Sequence, residues 1–386
     1  MMVAQQMLQY SQSSSWIRKM FEEGARLKAV HGAGKVYDFS LGNPDLPPPP
    51  KALAAMARLA SEMSHGYMPN AGFPEVRQTL AAHAEQEHGV KLTPEDIIMT
   101  CGAGGGINVV LRSILNPGDE VMALAPYFVE YRFYVENFGG ALSVARCGED
   151  FLPDLDNIRR AITEKTKAII VNSPNNPSGR VYPERVLHGL RDLLADYPDI
   201  LLISDEPYRR LVYDDIPVPP VLKIIPNAVV VTSASKSLSL AGERIGYIAV
   251  GPGVHERQEL LNAMTMANRI LGFVNAPAMM QQVLAECLTC AVDMRIYRKR
   301  RDLLRAIFDE SSLAYAPPEG TFYLFVKAPI PDDIAFCNAL VQERILAVPG
   351  TGFGWPGFVR FAYCTAEDTI RAAGPGIMRA VAQVKS

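Results

Sequence analysis

The sequence predicts an α/β fold: a mostly parallel sheet covered by helices, followed by a smaller α+β domain. Three observations carry this. From about residue 51 onward, short apolar runs at 97–99, 121–124, 168–171, 200–203, 229–232 and 245–250 end in turn-forming residues and give way to helical periodicity. These runs are continuous rather than alternating, which suits strands buried on both faces. Beyond about residue 290 the rhythm changes to apolar runs at 320–326, 345–348 and 358–363, the pattern of a smaller mixed domain.

Taken in order, the first 35 residues hold one amphipathic helix over about 15–30, capped by a serine run and ending near Gly32 and Gly34. An apolar run over 36–41 leads into the turn-rich Leu41-Gly42-Asn43-Pro44-Asp45, then a stiff, polyproline-like segment at 47–50. The strand–helix alternation follows. A long helical stretch over 256–309 is interrupted around 272–277. The expected division is an N-terminal segment, 1–50, packing with the small domain and the active site; a large domain, 51–289; and a small domain, 290–386.

Composition sets the outer limits. The 386 residues carry 38 Lys and Arg against 41 Asp and Glu, a net charge of −3, with 48% hydrophobic and 20% charged residues. Such a chain has material for a large core, unlike a disordered one. It lacks the surplus of cations that phosphate contacts need, so no nucleic-acid partner is expected. No apolar stretch reaches the roughly 18–20 residues of a membrane helix, and the Gln- and Ser-rich N-terminus has no signal-like core. The six cysteines are scattered through a core-rich chain and read as reduced thiols. A soluble, cytoplasmic protein is expected.

In an open parallel sheet, ligands bind beyond the carboxyl ends of the strands, so the residues delivered there matter most. The first delivery is Gly102-Ala103-Gly104-Gly105-Gly106 ahead of a helical pattern. Glycines there let a phosphate approach the backbone and a helix N-terminus, although a simple tight turn reads almost as well. Pro126-Tyr127-Phe128 brings aromatics, either to the crevice or to the core. Asn172 through Gly179 is a dense run of turn formers that is either an ordinary loop or a platform presenting an amide. Asp205 ends the run 200–203 and either caps a helix or pairs with a cation in the crevice. Lys236 stands among Ser233, Ser235 and Ser237, eight residues before Arg244. Burial and neighbouring cations would lower its pKa and make it a nucleophilic amine. An amine able to form a Schiff base, an acid able to keep a ring nitrogen protonated and an anion cradle together match pyridoxal 5′-phosphate (PLP).

With those residues in view, the chain resembles the fold type I, class I/II aminotransferases. The marks are Leu41-Gly42-Asn43-Pro44-Asp45, Tyr67 with Gly72-Phe73-Pro74, Asn175-Asn176-Pro177-Ser178-Gly179, Asp205-Glu206-Pro207-Tyr208, and Ser233-Ala234-Ser235-Lys236 with Arg244. Gly320-Thr321-Phe322-Tyr323, Pro349-Gly350-Thr351-Gly352 and Phe358-Val359-Arg360-Phe361 complete an ordered set over about 36–365. The resemblance implies the PLP-dependent transferase fold type I, with a mostly parallel seven-stranded sheet in the large domain. It also implies roles. Lys236 would bond the cofactor and shuttle a proton, and Asp205 would pair with the ring nitrogen. Tyr208 and Asn176 would hydrogen-bond the ring oxygen. Ala103, Gly104, Ser233 and Arg244 would hold the phosphate, and Phe128 would stack on the ring. Tyr67 would reach the phosphate of a partner subunit, implying a homodimer with shared sites. Arg360 would grip the substrate α-carboxylate, with Gly42 in a segment folding over the substrate and Asn176 beside it. Glu243 stands where many relatives carry Trp.

The implied activity is ping-pong transfer of an amino group between an L-α-amino acid and a 2-oxo acid, with 2-oxoglutarate the expected acceptor. Other reactions through a Cα carbanion, such as β-elimination, remain an alternative on the same fold. A dinucleotide-dependent oxidoreductase lacks its ribose-binding acid and leaves Lys236 unexplained. No motif marks a second cation for a side-chain carboxylate. The remaining features read as structural: Cys287-x-x-Cys290 without a second pair, six histidines without metal spacing, a basic run over 295–305 as a solvated helix face, and Met279-Met280 as core.

Overall fold

The computed structural model describes residues 2–12 and 16–386. Its strands are β1 (Tyr37–Asp38), β2 (Ile97–Thr100), β3 (Glu120–Ala125), β4 (Ala141–Arg146), β5 (Thr166–Asn172), β6 (Leu201–Asp205), β7 (Ala228–Ser233), β8 (Gly246–Val250), β9 (Tyr323–Lys327), β10 (Ile345–Leu346), β11 (Val348–Pro349) and β12 (Phe358–Ala362). Seven form one sheet in the order β2-β8-β7-β6-β5-β3-β4. All neighbours pair parallel except β8, which runs antiparallel to both β2 and β7. The expected α/β architecture is present, with helices on both faces.

The six apolar runs all become strands with both faces covered; β2, although at one edge of the sheet, is buried along its entire length, as are β6 and β8. The seventh strand, β4, is an edge strand with mostly exposed or half-buried side chains and so carries no continuous apolar run. The direction of β8 is equally silent in the sequence, since a doubly buried strand reads alike either way.

A second apolar core gathers residues from 292 to 381 with Phe39, Tyr208, Leu211 and Tyr213. It surrounds the antiparallel sheet β11-β12-β9. The N-terminal segment joins this region, where Tyr37 and Asp38 of β1 pair parallel with Ile345 and Leu346 of β10.

Several local expectations are corrected. The helix Trp16–His31 is present, but a further helix, Gln5–Gln12, precedes it and docks Tyr10 on Phe133 and Glu136. The serine run expected to cap the first helix lies outside the described residues. The glycines at 102–106 are not a loop before a helix but the first turns of the helix Gly102–Ile114 itself. The stretch 256–309 breaks twice, giving helices Arg257–Ile270, Ala278–Glu286 and Met294–Glu310; the second break holds both cysteines of the C-x-x-C pair. The basic run is only partly solvated. Arg300 and Arg301 are buried and paired with Asp45 and Asp214. Among the described residues, no helix is long and apolar enough to cross a membrane.

Candidate active site

The parallel strands β5, β6 and β7 end side by side, and their last residues are Asn172, Asp205 and Ser233. The register sets Asn172 directly beside Asp205. The helix Gly102–Ile114 aims its N-terminus at the same crevice, where its first amides have no intrahelical acceptor. A cavity of about 260 Å³ opens there. Gly42, Ala103, Gly104, Phe128, Asn176, Asp205, Tyr208, Ser233, Lys236, Arg244 and Arg360 all line it. Residues up to 318 positions apart are thus brought together, from Gly42 to Arg360. Tyr67 is the exception: it is 93% exposed and borders a separate surface recess with Phe273 and Val274.

Lys236 sits in a single helical turn, Ala234–Ser237, directly after β7. Its Nζ donates to the Gly42 carbonyl at 2.7 Å. Burial lowers the lysine pKa from its ordinary value to about 8, and the cations Arg360 and Arg244 push the same way against Cys364 and Asp205. About a tenth of the amine is therefore unprotonated and nucleophilic at pH 7, against roughly a thousandth or less for an ordinary lysine.

Asp205 is buried at the end of β6. Burial raises its pKa to about 7, opposed by the hydrogen bond from Tyr131 and by Lys236, and assisted by the neighbouring charge of Glu206. Tyr131 donates its hydroxyl to Asp205 Oδ2 at 2.5 Å. Asp205 Oδ1 is buried without a partner. An orphaned carboxylate oxygen costs free energy until it meets a donor, and a protonated ring nitrogen is such a donor. The helix-cap reading of Asp205 does not hold: it caps nothing.

The anion cradle is built by close backbone approach. A Cβ at Gly102, whose φ is +73°, would stand 2.9 Å from Arg244 Nη2, and a Cβ at Gly246 would strike the Thr232 carbonyl. Arg244 itself adopts φ 51°, a left-handed conformation that costs a non-glycine residue of order 1–2 kcal/mol. Its Nη1 is anchored to the Ala241 carbonyl at 2.9 Å. Arg244, Ser233 and the helix N-terminus bring positive potential and donors to one end of the cavity.

Arg360, which lines the same cavity, is almost wholly buried. Its Nη1 donates to Asn176 Oδ1 at 3.0 Å and its Nη2 to the Ser40 carbonyl at 2.6 Å, while Nε has no partner. The guanidinium lies 4.5 Å from the Tyr323 ring centre and 4.9 Å from that of Phe353. This fixed cation with spare donors is suited to a carboxylate.

Sequence reasoning missed the residues that set the principal ones. Asn172 donates to the Asp205 carbonyl and accepts from the Asn176 amide, both at 2.8 Å. Tyr323 places its hydroxyl 3.0 Å from that of Tyr208. Tyr131 and Tyr134 sit on the helix Tyr131–Glu136, where Tyr134 reaches the cavity beside Gly104. The motif Asn172-Ser173-Pro174-Asn175 and the aromatic run at 127–134 were the available signals; nothing in them distinguished a positioning tyrosine from core.

These features fit PLP: a buried acid with an unpartnered oxygen for the ring nitrogen, a cradle that a Cβ would fill, and on the same cavity a lysine whose pKa burial lowers. Comparison with known proteins agrees. The family model "Aminotransferase class I and II" matches residues 34–374. The aspartate/prephenate aminotransferase of Thermus thermophilus is 36% identical over 346 residues, covering 86% of this chain and 87% of its own. The aspartate aminotransferase of Thermotoga maritima is 30% identical, covering 92% and 94%. Among solved structures, an aminotransferase from Eubacterium rectale superposes with a TM-score of 0.96 at 37% identity over all of both chains. The Thermus thermophilus aspartate aminotransferase with maleate gives 0.86 at 32%, covering 95% and 96%. The chain belongs to the class I and II aminotransferases, as a PLP-dependent transaminase of fold type I.

Proposed function

We propose that this transaminase works on an α-amino acid held by Arg360 over a cofactor held by Lys236, Asp205 and Arg244, with aspartate the first donor to test and 2-oxoglutarate the first acceptor. The observation that supports it is that Lys236, Asp205 and Arg360 line one cavity, with Asp205 Oδ1 and Arg360 Nε left unpartnered. Aspartate is chosen because it stands in the names of the Thermus and Thermotoga relatives.

PLP, when bound, supplies the electron sink that makes removal of the substrate Cα proton possible. The chain's own groups do the rest. Arg360 orients the α-carboxylate through paired donors. Lys236, whose amine pKa burial lowers to about 8, would bond the cofactor and would move the proton at the substrate Cα. Asp205, with Oδ1 unpartnered and Oδ2 held by Tyr131, would accept from the ring N–H. Arg244, Ser233 and the amides of Ala103 and Gly104 would hold the phosphate. Phe128 would cover the ring, and Tyr208 and Asn176 would hydrogen-bond its oxygen. Gly42, already bonded to Lys236, brings the N-terminal segment over the substrate and excludes water.

The cations lining the cavity are Lys236, Arg244 and Arg360, each already assigned. A side-chain carboxylate would therefore draw on a cation from outside this lining. A homodimer belongs to the same proposal: Tyr67 is exposed beside exposed Val274, an apolar surface that a second copy would cover while lending Tyr67 to its site. Incubating the PLP-loaded enzyme with one amino acid and no acceptor is the test. Stoichiometric release of the matching 2-oxo acid supports the proposal. Ammonia and a 2-oxo acid formed in equal amounts and in excess of the enzyme would overturn it in favour of elimination.

A further inference from the structure

Behind the turn that carries Lys236 lies a second cavity, which shares Pro207 and Ser233 with the lining of the cofactor site but not Lys236 itself. Ser237 and Leu238 line it together with His83, Arg210, Cys287 and Cys290. Here the C-x-x-C pair, which the transaminase reading leaves unused, acquires a geometry. The helix Ala278–Glu286 ends at Cys287, and the Cys290 amide donates to the Cys287 carbonyl at 2.9 Å. A hydrogen bond from residue i+3 to residue i closes a β-turn whose end Cα atoms stand within about 7 Å, and a disulfide needs about 4.4–6.8 Å. Cys290's thiol is near enough to oppose ionisation of Cys287 directly. None of the other four cysteines has another cysteine among its interacting groups.

The turn is also tied to the catalytic segment. Two residues past Cys290, the Val292 amide donates to the Ser237 carbonyl at 2.9 Å. Arg210 Nη1 reaches the Cys290 carbonyl at 3.4 Å. A covalent closure at 287–290 would reset the chain that holds the residue after Lys236.

We propose that Cys287 and Cys290 form a reversible disulfide, a redox site directly behind the lysine turn that changes how the protein holds PLP. The partly exposed Cys290 thiolate attacks a small-molecule disulfide and releases one small thiol. The Cys287 thiolate then attacks Cys290 Sγ, forming the intrachain bond and expelling the second thiol. The protein dithiol loses two electrons, which reduce the small disulfide, and its two protons end on the released thiols or in solvent. Burial, with Cys290 beside it, holds the Cys287 thiol up at about 11, so the second step is the slow one.

The test is equilibration of the PLP-loaded protein in graded mixtures of reduced and oxidised glutathione, followed by alkylation and peptide mapping, with the Kd for PLP measured at each end. The expected result is a single two-electron transition confined to the 287–290 peptide and reversed by dithiothreitol. The Kd for PLP should shift about fivefold or more on oxidation, the low end of site-to-site coupling. Cys290→Ser and Cys287→Ser should bind PLP like the reduced protein and fail to respond. A peptide that stays a dithiol, or stops as a glutathione adduct on Cys290, overturns the site. A disulfide with unchanged PLP affinity overturns the coupling. The coupling rests on Lys236 being the cofactor lysine, whereas the thiol mapping does not, so the two can fail separately.

Discussion

Tyr131 offers the sharpest perturbation. Its hydroxyl donates a 2.5 Å hydrogen bond to Asp205 Oδ2, in full burial. Tyr131→Phe removes that donor and little volume. A hydrogen bond to a charged group contributes about 1.5–3 kcal/mol, equivalent to roughly 1–2 pKa units. Asp205, already raised to about 7, should rise further by that amount. Binding of PLP requires the carboxylate, so the penalty is the cost of ionising Asp205 before the cofactor enters. That cost is pH-dependent in a known way. Well below pH 7 the variant should bind PLP about tenfold to a hundredfold more weakly than the parent, and the ratio should fall towards unity about two to three units above it. The ionisation of PLP itself cancels in the ratio. The assay is spectrophotometric titration of the cofactor-free proteins with PLP at several pH values. A ratio near unity at every pH, or a loss that does not vary with pH, would refute the reasoning and reduce Tyr131 to packing.

Two further outcomes are expected. Arg360→Lys should leave the Kd for PLP unchanged but raise KM for both amino acid and oxo acid about tenfold to a hundredfold, since a lysine replaces a bidentate donor pair with a point charge; steady-state kinetics checks this. His88 is buried, with Nδ1 unpartnered and Nε2 3.8 Å from Glu206, and burial lowers its pKa. The neutral ring is thus the folded form: its contribution is complete above the unfolded pKa of about 6.5 and is lost as pH falls through the lower folded value. Thermal unfolding should therefore show a steeper loss of Tm below about pH 6.5 for the parent than for His88→Gln.

Much of this was legible in the sequence, for physical reasons. Doubly buried strands need unbroken apolar runs, and so β2, β3, β5, β6, β7 and β8 announce themselves; β4 is mostly exposed or half-buried, has its apolar run broken at Ser143, and stays silent. Lys236 and Asp205 stand out because a charged group at the end of a buried strand needs a reason. Tyr131, Tyr323 and Asn172 do not, because a tyrosine or asparagine satisfied by its neighbours leaves the same trace as ordinary packing. The Arg300–Asp45 and Arg301–Asp214 pairs were hidden for a related cause: they join positions 255 and 87 residues apart, and within its own helix each arginine looks solvated. The C-x-x-C pair carried no mark of function until the helix break at 287 placed it behind Lys236.

The central claim is that Lys236 carries the cofactor. Its most direct test is borohydride reduction of the PLP-loaded protein, followed by digestion and mass mapping. The expected result is one pyridoxyl group per chain, on the peptide containing Lys236 and on no other lysine. A label on a different lysine, or a protein that binds PLP but is not labelled, would contradict it.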